Sequence, residues 1–205
     1  MTTRTAADWA RILESMGVKP LMFATWAPVF ANTVRSDTFS AGDDDLRDFL
    51  AQIIHESQGL TRLSENLSYS AKRMTEVWPS RFPTIASAAP FARNPEALAN
   101  KVYGGRLGNT HPGDGWKFRG RSPIMVTGRA NYARVGDLVG QDLTVMPELL
   151  EQPHYALEAC IAWWEDKISD DMLGDPERVS RRVNGGLIGL AERVELTDAA
   201  DRALA

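Results

Sequence analysis

Only one cysteine, Cys160, occurs in the 205 residues. No intrachain disulfide can form, so the fold must rest on its apolar core. Cys160 lies among Ala156, Leu157, Ile161 and Trp164 and reads as a small core residue. Histidine is nearly as scarce: His55, His111 and His154 are scattered along the chain. Neither a His-Glu-x-x-His pattern nor a cysteine pair points to zinc, so no metal or other cofactor is expected. Cationic excess is absent as well. A net charge of −4 argues against a nucleic-acid partner and gives no long-range pull toward an anionic polymer. The most apolar stretch, Leu21 to Val34, is too short to cross a bilayer and contains Pro28, so stable membrane insertion is not expected. The first residues, MTTRTAADW, lack a cationic region followed by an apolar core, so no secretory signal is read. Fixed-period repeats, low-complexity linkers and convincing strand alternation are all missing.

What remains is helical patterning. Hydrophobic residues make up 43% of the chain, enough for a sizeable core. Trp9, Ile12, Leu13 and Met16 mark a first helix ending at Gly17. A second runs around 21–34 and is expected to bend or break near Pro28. Leu46, Phe49, Leu50 and Ile53 recur at i, i+3, i+4 and i+7, one face of a third helix that begins at Asp43, Asp44 and Asp45. Asn94-Pro95 opens a helix that Gly104-Gly105 ends. Further helices are expected near 129–139, 153–167, 175–183 and 189–203. Residues 108–121 read as a loop, and 118–126 as possible short extended structure. The fold class is therefore all-α, one domain over residues 1–205, with room for two lobes around a cleft.

The third helix places Glu56 three residues after Ile53, on or beside the buried face. Desolvation there would favour a neutral carboxyl able to protonate a leaving oxygen. The plainer alternative is an end-of-helix residue whose head reaches solvent. Nine residues on, beyond Gly59, lies Glu65 in Ser64-Glu65-Asn66. Two carboxylates in one cleft, one drier than the other, suit hydrolysis of a sugar–sugar bond. Trp78, Tyr103, Trp116 and Tyr132 lie in or beside the cleft-forming segments, with Tyr69 and Trp116 the better candidates to face a sugar ring. Arg119 and Arg121 flank Gly120, and one of them is expected to pair with a cleft carboxylate.

Residues 52–70, QIIHESQGLTRLSENLSYS, resemble the catalytic segment of the family 19 glycoside hydrolases in their phage endolysin branch. Trp116 to Tyr132, WKFRGRSPIMVTGRANY, resembles that family's Gly-Arg-Gly-x-x-Gln-x-Thr/Ser segment. Val183-Asn184-Gly185-Gly186 and Ala191-Glu192-Arg193 resemble its Asn-Gly-Gly and acidic-Arg elements. The three blocks span roughly residues 46–195 in the family's order. The resemblance implies Glu56 as general acid, Glu65 as general base and Thr127 as the hydroxyl that helps hold the attacking water. It implies substrate contacts at Asn131 and Asn184, a cation near the acid at Arg193, and a role for His55 beside the acid. Tyr69, Trp116, Arg121 and Met125 complete the expected substrate-binding set. Two positions depart from the pattern: Ser122 replaces a glycine, and Met125 a glutamine. Methionine cannot donate a hydrogen bond and accepts one only weakly.

The function this implies is an endolysin that cuts β-1,4 bonds between N-acetylated amino sugars of peptidoglycan, by single displacement with inversion. Chitin is the alternative polymer, and a non-catalytic wall-binding or virion protein the alternative class. A monomer without a separate wall-binding module is expected. It would be made in the host cytoplasm and reach the periplasm through a hole formed by a separate holin-type membrane protein.

Overall fold

The computed structural model describes residues 4–205. Residues 1–3 of the segment read above for a secretory signal lie outside the described residues. The helices are α1 (Ala6–Ser15), α2 (Phe23–Thr33), α3 (Asp43–Glu56), α4 (Ala71–Val77), α5 (Ile85–Ala88), α6 (Pro95–Tyr103), α7 (Asp114–Lys117), α8 (Arg129–Val139), α9 (Pro153–Lys167), α10 (Pro176–Asn184) and α11 (Leu190–Leu204), joined by loops and short 3-10 turns. The chain is all-α. Among the described residues, no helix is long and apolar enough to cross a membrane.

Two apolar cores organise these helices. The larger gathers Trp9, Phe30, Leu46, Phe49, Tyr132, Leu157 and Trp164, among others. The smaller gathers Leu67, Met74, Phe82, Ala88, Leu98, Ala99 and Val102, with Tyr69, Trp78, Tyr103 and Trp116 packed against it. Helix α3 is the axis of the larger core. Its pattern predicted one buried face, yet Leu46, Phe49, Leu50, Ala51, Ile53 and Ile54 are all buried, and so are Asp45, Asp48 and Gln52. A helix covered on most sides must find partners for its buried polar groups. Asp45 accepts from Trp164 Nε1 (2.8 Å) and the Ala41 N–H (2.8 Å). Asp48 accepts from the Gly174 N–H (2.7 Å) and Arg47 Nε (3.1 Å).

The structure departs from the sequence reading, or adds to it, at three places. Helix α2 runs through Pro28 without a break. The ring forfeits one backbone bond, but Trp26, Ala27 and Phe30 are buried, and Phe30 stacks on Trp9 with centroids 4.8 Å apart. That packing outweighs the local cost. The loop over 108–121 contains the short helix α7. Helices α4 and α5 went unpredicted because each is too short to show a period. Caps at Ser70 and Thr84, and burial of Met74 and Ala88 in the smaller core, hold them.

The extended structure expected over 118–126 is a minimal hairpin. Arg121 and Val126 exchange backbone hydrogen bonds (3.1 and 2.8 Å) around the turn Ser122-Pro123-Ile124-Met125. The turn closes with Met125 N–H donating to Ser122 O at 3.1 Å, and both residues are left-handed, with φ of 69° and 57°. Ser122, where the family resemblance supplies glycine, is fully buried, and Cys160 Sγ donates to its Oγ at 3.6 Å.

A left-handed non-glycine residue costs about 1–2 kcal/mol, whereas glycine adds about 0.5–1 kcal/mol of unfolded-chain entropy. The thiol–hydroxyl contact is weak. Ser122→Gly should therefore stabilise the protein by about 0.5–1 kcal/mol, a melting-point rise of about 1–4 °C. A thermal melt that falls on this substitution would show that the buried hydroxyl outweighs the backbone strain.

Candidate active site

Helix α3 ends at Glu56, and the chain then makes an abrupt turn. Ser57, fully buried, donates through Oγ to Ile53 O (2.5 Å) and accepts from the Leu60 N–H (2.8 Å). Gly59 N–H closes the helix on Ile54 O at 2.8 Å. Gln58, Gly59 and Leu60 are all left-handed, with φ of 54°, 72° and 62°. Trp26 Nε1 fixes the last of them by donating to Leu60 O (3.1 Å). Consecutive strained residues persist only where their surroundings over-determine them. Here they reverse the chain so that Glu65 reaches the hairpin beside Gly120.

Glu56 is bound by Arg193, whose guanidinium is wholly buried in the protein. One guanidinium nitrogen donates to Glu56 Oε1 and another to Gln52 Oε1, one turn earlier on α3. The Glu56 side chain is 21% exposed, and its Oε2 has no hydrogen-bond partner among the described residues. The cation that the family resemblance sets near the acid thus lies against Glu56, so the surroundings of this carboxyl are charged as well as buried.

Glu65 is held by neutral donors. Gly120 N–H donates to Oε1 (2.6 Å) and Tyr103 Oη to Oε2 (2.7 Å). The backbones also pair, Glu65 N–H donating to Gly120 O at 2.9 Å. Burial, and then the neighbouring Glu65 charge, push the Tyr103 phenol well above its ordinary range, which keeps it a proton donor to the carboxylate. Gly120 is needed for closeness. A Cβ there would lie 3.2 Å from Thr127 Oγ1 and 3.3 Å from Glu65 Cδ. Thr127 and Glu65 therefore flank one point of the backbone, and Thr127 Oγ1 donates to Met125 O (2.9 Å).

The remaining predicted residues fall in several places. Asn131 donates to Thr127 O at 2.7 Å, within this cluster. Tyr69, half-buried, meets Trp78 edge-on at 5.1 Å. Trp116 is half-buried under the Arg119 guanidinium, 4.0 Å from its ring. Met125 is half-buried at the end of the hairpin turn. Asn184 is exposed at the end of α10, its amide donating to Ile188 O (3.5 Å).

Two placements correct the sequence reading. His55 turns toward α11: Nδ1 lies 2.9 Å from Glu192 Oε2, and a Cβ on Gly189 would collide with the ring at 2.3 Å. The ring packs against α11, and Nδ1, although close to Glu192, makes no hydrogen bond among the described residues. Arg119 and Arg121 both pair with Glu151 (3.0 and 2.5 Å) and not with Glu56 or Glu65. Arg121 also donates to Lys117 O (2.7 Å) and Tyr132 Oη (2.9 Å), so this buried side chain is spent inside the protein. Tyr103 was read as an aromatic beside the cleft, not as the partner of a carboxylate. It is separated from Glu65 by 38 residues, and no local pattern links them. Among the described residues, no group of histidine, cysteine and acidic side chains is arranged to hold a metal. The hollow between α1 and the end of α11, lined by Arg4, Asp8, Arg11 and Leu204, contains neither carboxylate.

The arrangement supplies one carboxyl with a free oxygen beside a cation and one carboxylate oriented by two donors next to a hydroxyl. Chitinase C from Streptomyces griseus HUT6037 superposes with a TM-score of 0.60, covering 99% of this chain and 94% of that one at 15% identity. A bacterial family 19 chitinase gives a TM-score of 0.54 at 18% identity, covering 100% and 96%. These likenesses concern the fold. No protein-family model matches the sequence. A glycosyl hydrolase family 19 domain-containing protein of Haemophilus influenzae is 39% identical over 151 residues, 72% of this chain and 74% of that protein. On that relationship, with a helical fold in common with the chitinases, the chain belongs to glycosyl hydrolase family 19.

Proposed function

We propose that this family 19 glycoside hydrolase is a lysozyme-type endolysin, cutting β-1,4 bonds between N-acetylated amino sugars of bacterial peptidoglycan. The observation that carries the chemistry is the unequal holding of the two carboxyls. Glu56 gives Oε1 to Arg193 and keeps Oε2 for a proton bound for the leaving oxygen. Glu65 accepts from Gly120 and Tyr103, and each of its oxygens retains a second lone pair for the proton of an attacking water. Thr127 Oγ, beside the same carboxylate, is placed to hold that water. Breaking the bond to the leaving sugar while water adds from the opposite face gives the inverted product in one step. No covalent intermediate is required.

Peptidoglycan is favoured by the resemblance of residues 52–70 to the endolysin branch and by a fold that uses no disulfide, its single cysteine being buried. Chitin is the second reading, because the structural neighbours carry that activity in their names. On the first reading the whole chain acts as a monomeric catalytic unit made in the host cytoplasm. It reaches the wall through a lesion formed by a holin-type partner. Purified sacculi and soluble chitin oligomers, digested side by side, separate the two polymers: soluble muropeptides with a reducing sugar end support the endolysin, and turnover of chitin oligomers alone supports the chitinase.

Glu56→Gln should lower the rate by about 10²–10⁴-fold, since an amide cannot deliver the proton. It should not be silent in stability, contrary to an end-of-helix residue. Arg193 is wholly buried and would lose its counter-charge. Breaking a buried pair costs about 3–5 kcal/mol. With Glu56 partly exposed, about 1–3 kcal/mol is expected, read as a lower urea midpoint. Unchanged stability would mean that solvent and Gln52 suffice to hold the guanidinium.

Glu65→Gln should reduce turnover comparably, and added azide should restore part of it by taking the place of the activated water. Gly120→Ala should impair turnover too, because the new methyl crowds both Thr127 and Glu65. About 10-fold or more is expected for a sub-ångström displacement of the base. Full activity of Gly120→Ala would separate the close backbone approach from catalysis.

A further inference from the structure

Asn109 is 1% exposed in a loop between α6 and α7, and every polar group it owns is engaged. Nδ2 donates to Tyr103 O (3.1 Å), and Oδ1 accepts from the Arg129 N–H (2.8 Å). Its N–H donates to Arg106 O and its carbonyl accepts from the Gly105 N–H, both at 2.8 Å. The side chain thus spans two places that matter. Tyr103, at the end of α6, donates to Glu65 Oε2. Arg129 opens α8 two residues after Thr127. The same loop is fastened a second time, by the Ala130 N–H donating to Leu107 O (3.0 Å). Arg129 is itself anchored through its guanidinium to the buried carboxylate of Asp114 (2.7 Å).

We propose that Asn109 is a positioning residue of the hydrolytic reaction, coupling the Tyr103 phenol that orients Glu65 to the backbone that carries Thr127. The proposal rests on Glu65 acting as the base. Base and water-holding hydroxyl come from segments remote in sequence, and both lie against Gly120. A second tie is needed to keep the phenol in register with them. The Asn109 amide supplies it because it offers a donor to one side and an acceptor to the other in a single rigid plane. With the amide removed, the end of α6 can drift from α8. Tyr103 Oη then leaves Glu65 Oε2, and the carboxylate loses one of the two donors that aim it. Substrate binding elsewhere along the site should be little affected, so the loss should fall on kcat and not on KM.

The test is a set of kcat and KM measurements on Asn109→Ala, Tyr103→Phe, the double variant, and each of these changes added to Glu65→Gln assayed with azide. Asn109→Ala should lower kcat about 10- to 100-fold, as misplacement of a catalytic group does, with KM changed less than about threefold. Tyr103→Phe should give a similar loss. The double variant should be no worse than the more impaired single one, because both changes cut the same chain of contacts. In the Glu65→Gln background neither change should lower the azide-rescued rate further. Multiplying losses in the double variant, or an equal loss in the Glu65→Gln background, would overturn the proposal and make Asn109 a general support of the fold. If Asn109→Ala does not fold, Asn109→Asp keeps the acceptor for Arg129 and removes the donor to Tyr103, and the same pattern is required of it. A fully active Glu65→Gln would instead overturn the base assignment itself, which is a separate result.

Discussion

A buried guanidinium governs this molecule. Arg193 comes from α11, lies wholly inside the protein, and donates to Gln52 and Glu56 on adjacent turns of α3. Among the described residues, α3 and α11 form the most extensive helix pair. A charge taken out of water must be matched, or it unfolds the segment that carries it. The match is the carboxyl at the last residue of α3, so the bond that seats α11 also fixes the direction of Glu56. Stability and chemistry share one ion pair. The arrangement leaves Glu56 Oε2 uncommitted, which a second arginine or a backbone N–H in its place would not.

The other carboxyl is held by a different device, and the contrast is functional. Glu65 has no cation bonded to it. It takes two neutral donors from two structural sources, a backbone N–H of the hairpin strand and a phenol from the smaller core. Neutral donors aim a carboxylate without quenching its charge, as accepting a proton from water demands. The strained turn Gln58-Gly59-Leu60 connects the two devices. It ends the helix that carries one carboxyl and delivers the other to Gly120 within nine residues. The arginines nearest in sequence to Gly120 are diverted: Arg119 and Arg121 share Glu151, and among the described residues Glu65 has no salt bridge.

Much of this was legible in the sequence, for a physical reason in each case. Helices α8, α9, α10 and α11 announce themselves by apolar spacing, and α6 by its Asn-Pro start. The position of Glu56 beside a buried stripe followed from counting from Phe49 and Ile53. Its cationic partner did not, because the period of α3 gives no sign that a residue 137 positions away arrives at its end. That pairing came only through resemblance to a family pattern. Tyr103 was read only as an aromatic beside the cleft, and Asn109 as part of a loop, because a hydrogen bond across the fold leaves no local signature. His55 was assigned by adjacency to Glu56. On a helix the next residue lies about 100° away, and the ring follows that rotation toward Glu192. Ser122 and Met125 were read as losses from a family pattern. The structure gives them a backbone meaning, since both occupy left-handed positions of the hairpin turn where a glycine would sit without strain.

The division of labour between a cation-held acid and a neutrally held base implies direct attack by water on the face opposite the leaving group. Proton NMR of a short N-acetylated glucosamine oligomer or a soluble glycan strand, recorded in the first minutes of hydrolysis before mutarotation, reads the anomer as it forms. The account predicts that the new reducing end appears as the α-anomer from a β-linked substrate. Initial appearance of the β-anomer would mean that configuration is retained and that Glu65 does not act by activating water for single displacement.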